Sequence, residues 1–355
     1  MLACATLFAP RAAAQNPAAA PARAQGQAAP QGQAPAQDLR FFRIGTGSTS
    51  GSYFPIGGII ASAISNPPGS RECDKDGSCG VPGLLAVAQS TQGPIENLAL
   101  IAKGTLRSGL AQADLAYWAF HGTGLYAGKG AVKNLRAIAS LYPEMIHIVV
   151  RAGTDIQGIH DLKLRRVSLG EEGSGTLVNA RAILKAHGMT ELDVVPFYLQ
   201  PGPAADLLGK DGIDAFFVNA GLPAQAVADL ARKTRLRFLT IRGDELTALL
   251  KAYPFFAPRI IPGGTYEGVA GVETLAIGVQ YLVAAEADEK LVYGITQALW
   301  HPNTEKLWQN VGSLAASIRL PHALDGLGVP LHPGAALYYF EKGMVQGDAK
   351  PAEKQ

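Results

Sequence analysis

Charge is scarce in this chain and nearly balanced: 31 Lys and Arg against 29 Asp and Glu leave a formal net charge of +2, and 17% of its 355 residues are charged. No Lys/Arg cluster exceeds a few residues, so the basic footprint of a nucleic-acid surface is missing and nucleic acid is not expected as a partner. Long apolar runs are missing too. The strongest, such as 274–285, fall well short of the ~20 residues that span a bilayer, and the mature chain is expected to be soluble. The seven histidines, His121, His147, His160, His187, His301, His322 and His332, show no metal-ligand spacing, and they are expected mostly at the surface or at helix caps. A Gly-Lys-Ser/Thr phosphate loop is absent, so neither a metal nor a cofactor is expected.

Cysteine is rare, with 3 in the chain. Cys4 lies in a leader-like start, residues 1–10, which is followed by Arg11 and a small-x-small cleavage site after Ala14. The basic region that opens a secretory signal is missing, so either the true start lies upstream or the signal is abbreviated. Leu2-Ala3-Cys4 also reads as a lipoprotein box. Residues 15–37 are almost all Ala, Pro, Gln and Gly, which cannot bury enough surface to offset ordering entropy; 1–38 is expected to be signal and tether. The other two cysteines, Cys73 and Cys79, enclose five polar, turn-forming residues. That spacing suits a local disulfide contributing ~2.4 kcal/mol for a loop of about seven residues. The rival is a metal site, for which two lone cysteines are a poor ligand set.

What the sequence has in quantity is apolar residues, 48%, and glycine, 41 residues. Short apolar runs alternate with helical spacing: strands at 41–45, 84–88, 135–141, 146–151, 167–170, 194–199, 212–221, 237–241 and 274–283, with helices at 53–64, 94–101, 177–187, 203–208, 246–253 and 289–300. A strand near 111–118 is expected to lead into a helix at 118–126, and the prolines at 254, 258 and 262 to mark irregular chain. This alternation predicts an α/β fold with a mainly parallel sheet. The two long runs at 146–151 and 274–283 are expected to cross between two lobes, 39–147 with 274–345 and 148–273, leaving 346–355 as a polar tail. The ligand cleft would lie between the lobes, where the strands form the hinge.

Three loops share one design. In each, an apolar strand ends in small or hydroxylated residues and a helix begins: Ile44-Gly45-Thr46-Gly47-Ser48-Thr49-Ser50-Gly51-Ser52-Tyr53, then Gln89-Ser90-Thr91-Gln92-Gly93-Pro94, then Ser168-Leu169-Gly170-Glu171-Glu172-Gly173-Ser174-Gly175-Thr176. A helix N-terminus leaves unpaired N–H groups and a positive dipole end, and it receives an anion. The candidate ligand-binding residues are Gly47, Ser48, Tyr53, Ser90, Thr91, Gln112, Ser174, Gly175, Thr176 and Asn219. Several have plainer readings: a tight turn for 45–51, an ordinary helix cap for Ser174, core packing for Tyr53, and loop bonding for Gln112. Asp114 reads as a structural cap, and Glu171 and Glu172 as solvated or hinge-facing. Dinucleotide binding is disfavoured by the Gly-x-Gly-x-x-Ser-Gly spacing. Hydrolysis is disfavoured because Gly47-Ser48-Thr49-Ser50-Gly51 carries Thr where a nucleophile elbow carries Ser. No catalytic residue is assigned.

The ordered set Ile44-Gly45-Thr46-Gly47 with Tyr53-Phe54-Pro55, Gln89-Ser90-Thr91 with Glu96-Asn97-Leu98, Gln112-Ala113-Asp114-Leu115-Ala116-Tyr117, Gly173-Ser174-Gly175-Thr176, and Asp214-Ala215-Phe216-Phe217 with Gly221-Leu222-Pro223 resembles the TAXI family. These are extracytoplasmic solute-binding proteins of tripartite (TRAP) transporters, and the resemblance covers residues 40–345. It implies a two-lobe periplasmic-binding-protein fold of type II, no enzymatic chemistry, and a small carboxylate or amino-acid ligand such as glutamate, glutamine or 2-oxoglutarate. It further implies a periplasmic monomer that delivers its ligand to an integral membrane subunit. A sensor feeding a membrane-bound kinase is the alternative on the same fold, and a secreted hydrolase a remoter one. Ser48 and Ser50 stand where many relatives have glycine, and Pro94 where a serine is usual.

Overall fold

The structure is a computed structural model that describes residues 39–346 apart from Asp76; the signal-like segment and tether, and all but the first residue of the polar tail, lie outside those residues. Chain order begins β1 (Arg40–Gly45), α1 (Tyr53–Ile64), β2 (Ser65–Asn66), β3 (Val81–Pro82), β4 (Leu84–Gln89), α2 (Pro94–Ala102), β5 (Ser108–Gln112), α3 (Ala113–His121) and β6 (Leu135–Arg151). It continues with β7 (Arg166–Ser168), α4 (Gly175–Ala186), β8 (Val195–Phe197), α5 (Pro201–Gly209), β9 (Ala215–Ala220), α6 (Gln225–Ala231), β10 (Leu236–Phe238), α7 (Gly243–Ala252) and β11 (Ala257–Ile261). Last come β12 (Val272–Ala284), α8 (Glu289–Leu299), α9 (Pro302–Trp308) and α10 (Pro333–Glu341).

One sheet runs through the molecule in the order β4-β1-β5-β12-β6-β9-β7-β8, with β10 also on β6 and β11 on β12. Its flanks are parallel, β1 with β4 and β5, and β7 with β8 and β9. Its centre is antiparallel: β12 with β5 and β6, and β6 with β9. The mainly parallel sheet expected from the alternation is therefore a mixed one, because both long strands traverse the sheet against their neighbours. Residues 135–141 and 146–151, read as two strands, are one strand of 17 residues, which passes through Pro143. The helix after β5 starts at Ala113 rather than near Trp118. Pro258 sits inside β11, an outer strand paired on one side only, where a missing N–H is tolerated.

Both long strands serve two packed lobes. On β6, Ile138, Leu141 and Tyr142 join a core with Ile44, Ile60 and Tyr339, whereas Ile146, Ile148 and Val150 join one with Val167, Leu184 and Phe217. On β12 the change falls between Ile277 and Val279. The two transitions face each other, for Glu144 pairs with Ile277 and Pro143 with Gly278. Pro143 has no N–H to give the ladder and Gly278 no side chain to pack, so the joint between the lobes is the weakest part of both strands. This is the two-lobe periplasmic-binding-protein architecture, with β6 and β12 as hinge strands.

Cys73 and Cys79 are bonded to each other. The loop they close is pinned to α9 by Asn303, whose Nδ2 donates to Cys73 O at 3.1 Å and Gly77 O at 3.3 Å. Of the histidines expected near the surface, His147 is wholly buried. Tyr266 Oη donates to its Nε2 at 2.8 Å and accepts the N–H of Ala224 at 2.8 Å.

Candidate functional site

β1, β4 and β7 each end in a loop of small or hydroxylated residues that feeds a helix, and the starts of α1, α2 and α4 line one cavity of about 60 Å3 between the lobes, Pro94 at the start of α2 having no N–H to offer. From the first lobe it is lined by Gly47, Ser48, Gly51, Ser52 and Tyr53, by Gln92 to Pro94, and by Gln112 and Glu144. The second lobe contributes Gly170, Glu171, Ser174, Gly175, Thr176, Leu199, Pro201, Phe217 and Asn219. Since one water takes at least ~10–15 Å3, the space suits a compact solute.

Eight of the ten expected ligand residues meet here: Gly47, Ser48, Tyr53, Gln112, Ser174, Gly175, Thr176 and Asn219. Ser90 and Thr91 are not brought to the lining. Ser90 Oγ donates to Gly47 O at 2.9 Å, and Thr91 Oγ1 donates either to Thr46 O at 3.0 Å or to Asn97 Oδ1 at 2.9 Å. Asn97, fully buried, donates onward to Thr46 O at 2.6 Å and Leu110 O at 2.9 Å. These side chains hold the first loop in shape from behind. Ser50 reaches across the cleft instead, accepting the N–H of Gly202 at 3.4 Å.

The donors that remain open are specific. Ser174 Oγ accepts Leu177 N–H at 3.1 Å as the cap of α4 and donates to Glu171 O at 2.6 Å, so its hydroxyl is used. The N–H groups of Gly175 and Thr176 open that helix and have no intrahelical acceptor. Thr176 Oγ1 accepts Asn219 N–H at 3.1 Å, which leaves its own proton free to turn into the cavity. Tyr53 Oη, Gln112 Oε1 and both side-chain polar atoms of Asn219 are buried without a hydrogen-bond partner. Each such atom left dry costs ~1–3 kcal/mol, and four around one cavity mark a place built for a polar solute.

The acid groups were the part that sequence reasoning missed. Glu144 is 3% exposed and accepts hydrogen bonds from Ser52 Oγ at 2.9 Å and Gln112 Nε2 at 2.9 Å, while Tyr142 Oη donates to Ser52 Oγ at 3.2 Å. Burial outweighs those bonds and pushes the Glu144 carboxyl up to about 8. Asp114, fixed at the start of α3 by Leu115 N–H at 2.7 Å, is raised by burial to about 7. The Tyr53 phenol is raised by burial first and then by Glu144, Tyr142 and Asp114. Glu171, expected to be solvated or hinge-facing, is half-buried in the lining, and its carboxyl is raised by burial despite bonds to Ser48 and Gln200. No Lys or Arg lines the cavity among the described residues. Glu144 falls between the two runs that the sequence reads as separate strands; its neighbours in space, Ser52 and Gln112, lie 92 and 32 residues away.

The lobes touch around the cavity through bare backbone. Ile95 N–H lies 3.4 Å from Gly173 O. A Cβ on Gly93 would come within 3.4 Å of that carbonyl, and one on Gly175 within 1.7 Å of Gln112 Oε1. Gly93 and Gly173 also hold φ of +117° and +81°, where side chains with a Cβ are strained. The arrangement is a closed one.

Among solved structures, the chain is similar to PhnD1 from Prochlorococcus marinus in complex with methylphosphonate, at 9% identity and TM-score 0.52 over 86% of this chain and 99% of that one. It also resembles the periplasmic aliphatic sulphonate binding protein SsuA from Escherichia coli, at 16% identity and TM-score 0.43 over 88% and 79%. The alkanesulfonate-binding SsuA from Xanthomonas axonopodis pv. citri, bound to MOPS, matches at 17% identity and TM-score 0.45 over 87% and 96%. At these identities the likeness concerns the fold. A family model matches residues 44–343, nearly the whole described chain, and by that match the protein belongs to the NMT1-like family.

Proposed function

We propose that this protein is an exported solute-binding receptor that closes its lobes, 39–147 with 274–345 and 148–273, over a small carboxylate and delivers it to a membrane transporter. The observation that carries the reading is the small cavity between the lobes, where two helix N-termini and the unpartnered Tyr53, Gln112 and Asn219 atoms converge. Each helix terminus contributes ~0.3–1 kcal/mol to holding an anion, more when dry. The ligand contacts are Gly47, Ser48, Tyr53, Gln112, Gly175, Thr176 and Asn219, with Ser174 fixing the start of α4. A receptor of this kind performs no chemistry on its ligand. The tether-like start and the Cys73–Cys79 disulfide fit an oxidising compartment such as the periplasm. The motif set resembling the TAXI family supports glutamate, glutamine or 2-oxoglutarate as ligand and a TRAP membrane subunit as partner, with the receptor acting as a monomer.

The test is thermal unfolding of protein stripped of co-purified ligand by unfolding and refolding. Saturation at about 100 times Kd adds ~2.7 kcal/mol of stability. No shift with any small carboxylate or acidic amino acid would remove the ligand assignment. For the partner, uptake of the bound solute should vanish when either the receptor or the TRAP membrane subunit is deleted.

A further inference from the structure

We infer that Glu144 is the residue that sets ligand charge: it pairs with a hydrogen-bond-donating, cationic group of the ligand and thereby favours amine-bearing solutes over dianions. The inference rests on the receptor reading above and concerns the same cavity.

The cavity is polarised. On the side of the second lobe stand the N–H groups of Gly175 and Thr176 and the Thr176 hydroxyl, all donors with no acceptor of their own in the helix. On the hinge side stands the Glu144 carboxyl, with one bond on each oxygen, from Ser52 and from Gln112, and therefore with lone pairs to spare. The Tyr53 hydroxyl, unpartnered and 7% exposed, accompanies it. Asp114 is near enough to raise the Tyr53 phenol further. The second carboxylate of the lining, Glu171, stands with the second lobe. Among the described residues no Lys or Arg lines the cavity to compensate either acid. A ligand carboxylate at the α4 terminus has its charge met by N–H groups. A second carboxylate directed at Glu144 finds no countercharge there: it must leave the proton on that carboxyl or, where the proton is lost, stand beside a like charge. An ammonium there instead supplies the missing countercharge, and its N–H groups occupy the spare lone pairs. The burial that raises the Glu144 carboxyl is the free-state cost that such a ligand removes.

Three probes of one carbon skeleton separate the terms: 2-oxoglutarate, a dianion without an amine; glutamate, which adds the ammonium; and glutamine, which also replaces the side-chain carboxylate. Calorimetric titration of stripped protein should give amine-bearing probes at least ten times the affinity of 2-oxoglutarate. E144Q should reduce that preference at least tenfold while the protein stays folded by circular dichroism. Equal or tighter binding of 2-oxoglutarate to the wild type overturns the inference and leaves the carboxylate receptor standing, as does an amine preference that survives in E144Q. If none of the three probes binds, while a thermal-shift screen finds a non-carboxylate ligand, both the carboxylate reading and the inference are overturned.

Discussion

Buried titratable side chains give this protein a pH signature that its near-neutral total charge conceals. Glu144 and Asp114 keep protons in the folded state up to about 8 and about 7, whereas the unfolded chain releases them near 4. Folding therefore binds protons between those values, and stability is lost as pH rises through them. His147 acts in the opposite sense: burial lowers it to about 4, so its contribution falls away as pH drops from ~6.5 toward 4. Above ~6.5 only the carboxyl terms remain. The melting temperature should fall between pH 6.5 and 8, and E144Q should flatten that fall; a slope unchanged in E144Q would remove Glu144 as its source. Binding of an amine-bearing ligand would expel the Glu144 proton, so its affinity should rise with pH from 6 to 8, by at most about tenfold per unit. Burial first, and then Asp114, keep that carboxyl proton-holding in the free protein.

Two further substitutions divide contact from scaffold. Asn219→Ala removes two buried polar atoms that have no partner, and should weaken ligand binding at least tenfold with little loss of stability. Thr91→Val removes the hydroxyl that braces Thr46 and Asn97, and should cost ~1 kcal/mol or more in urea unfolding. Its effect on affinity, measured on the folded protein, should be the smaller of the two.

At the scale of elements, sequence spacing located most strands and helices because turn residues mark their ends: Pro55 near the start of α1, Pro94 at the start of α2, Gly188 just after α4. It also found eight of the cavity's lining residues, since glycine and hydroxyl loops before helices are local patterns. What it missed is non-local. Pro258 reads as irregular chain and 135–151 as two strands, but pairing with β12 keeps Pro258 in a strand and makes 135–151 one. Glu144 and Phe217 reach the cavity only because β6 and β9 are adjacent in the sheet. Ser90 and Thr91 carry the same hydroxyl pattern as the lining loops, but the backbone of the first loop claims their protons. The contact between lobes makes its own prediction. Gly175→Ala would place a Cβ within 1.7 Å of Gln112 Oε1, so it should hold the lobes apart or displace Gln112 from Glu144. Affinity should drop at least tenfold, and small-angle scattering should show no compaction on adding ligand. Compaction equal to wild type would show that the glycine is dispensable for closure.

The whole molecule is two lobes on a shared sheet, and the first lobe is not a continuous piece of chain, because β12 returns to its core after the second is complete. The disulfide lies far from this joint in sequence and closes a loop held by α9. Reduction should therefore lower stability by ~2.4 kcal/mol or less while leaving ligand affinity within about twofold, as measured by melting and titration with and without a dithiol. A large loss of affinity would place that loop in the binding mechanism.

The 17-residue strand β6 places Glu144 beside Pro143, at the point where it passes from one core to the other. At ~3.3 Å per residue, roughly 20–30 Å of strand extend to either side of that point. The strand is a lever whose fulcrum lies at the cavity lining. A turn of about 10° there would sweep each end through ~4–5 Å, a displacement large enough for a partner to recognise.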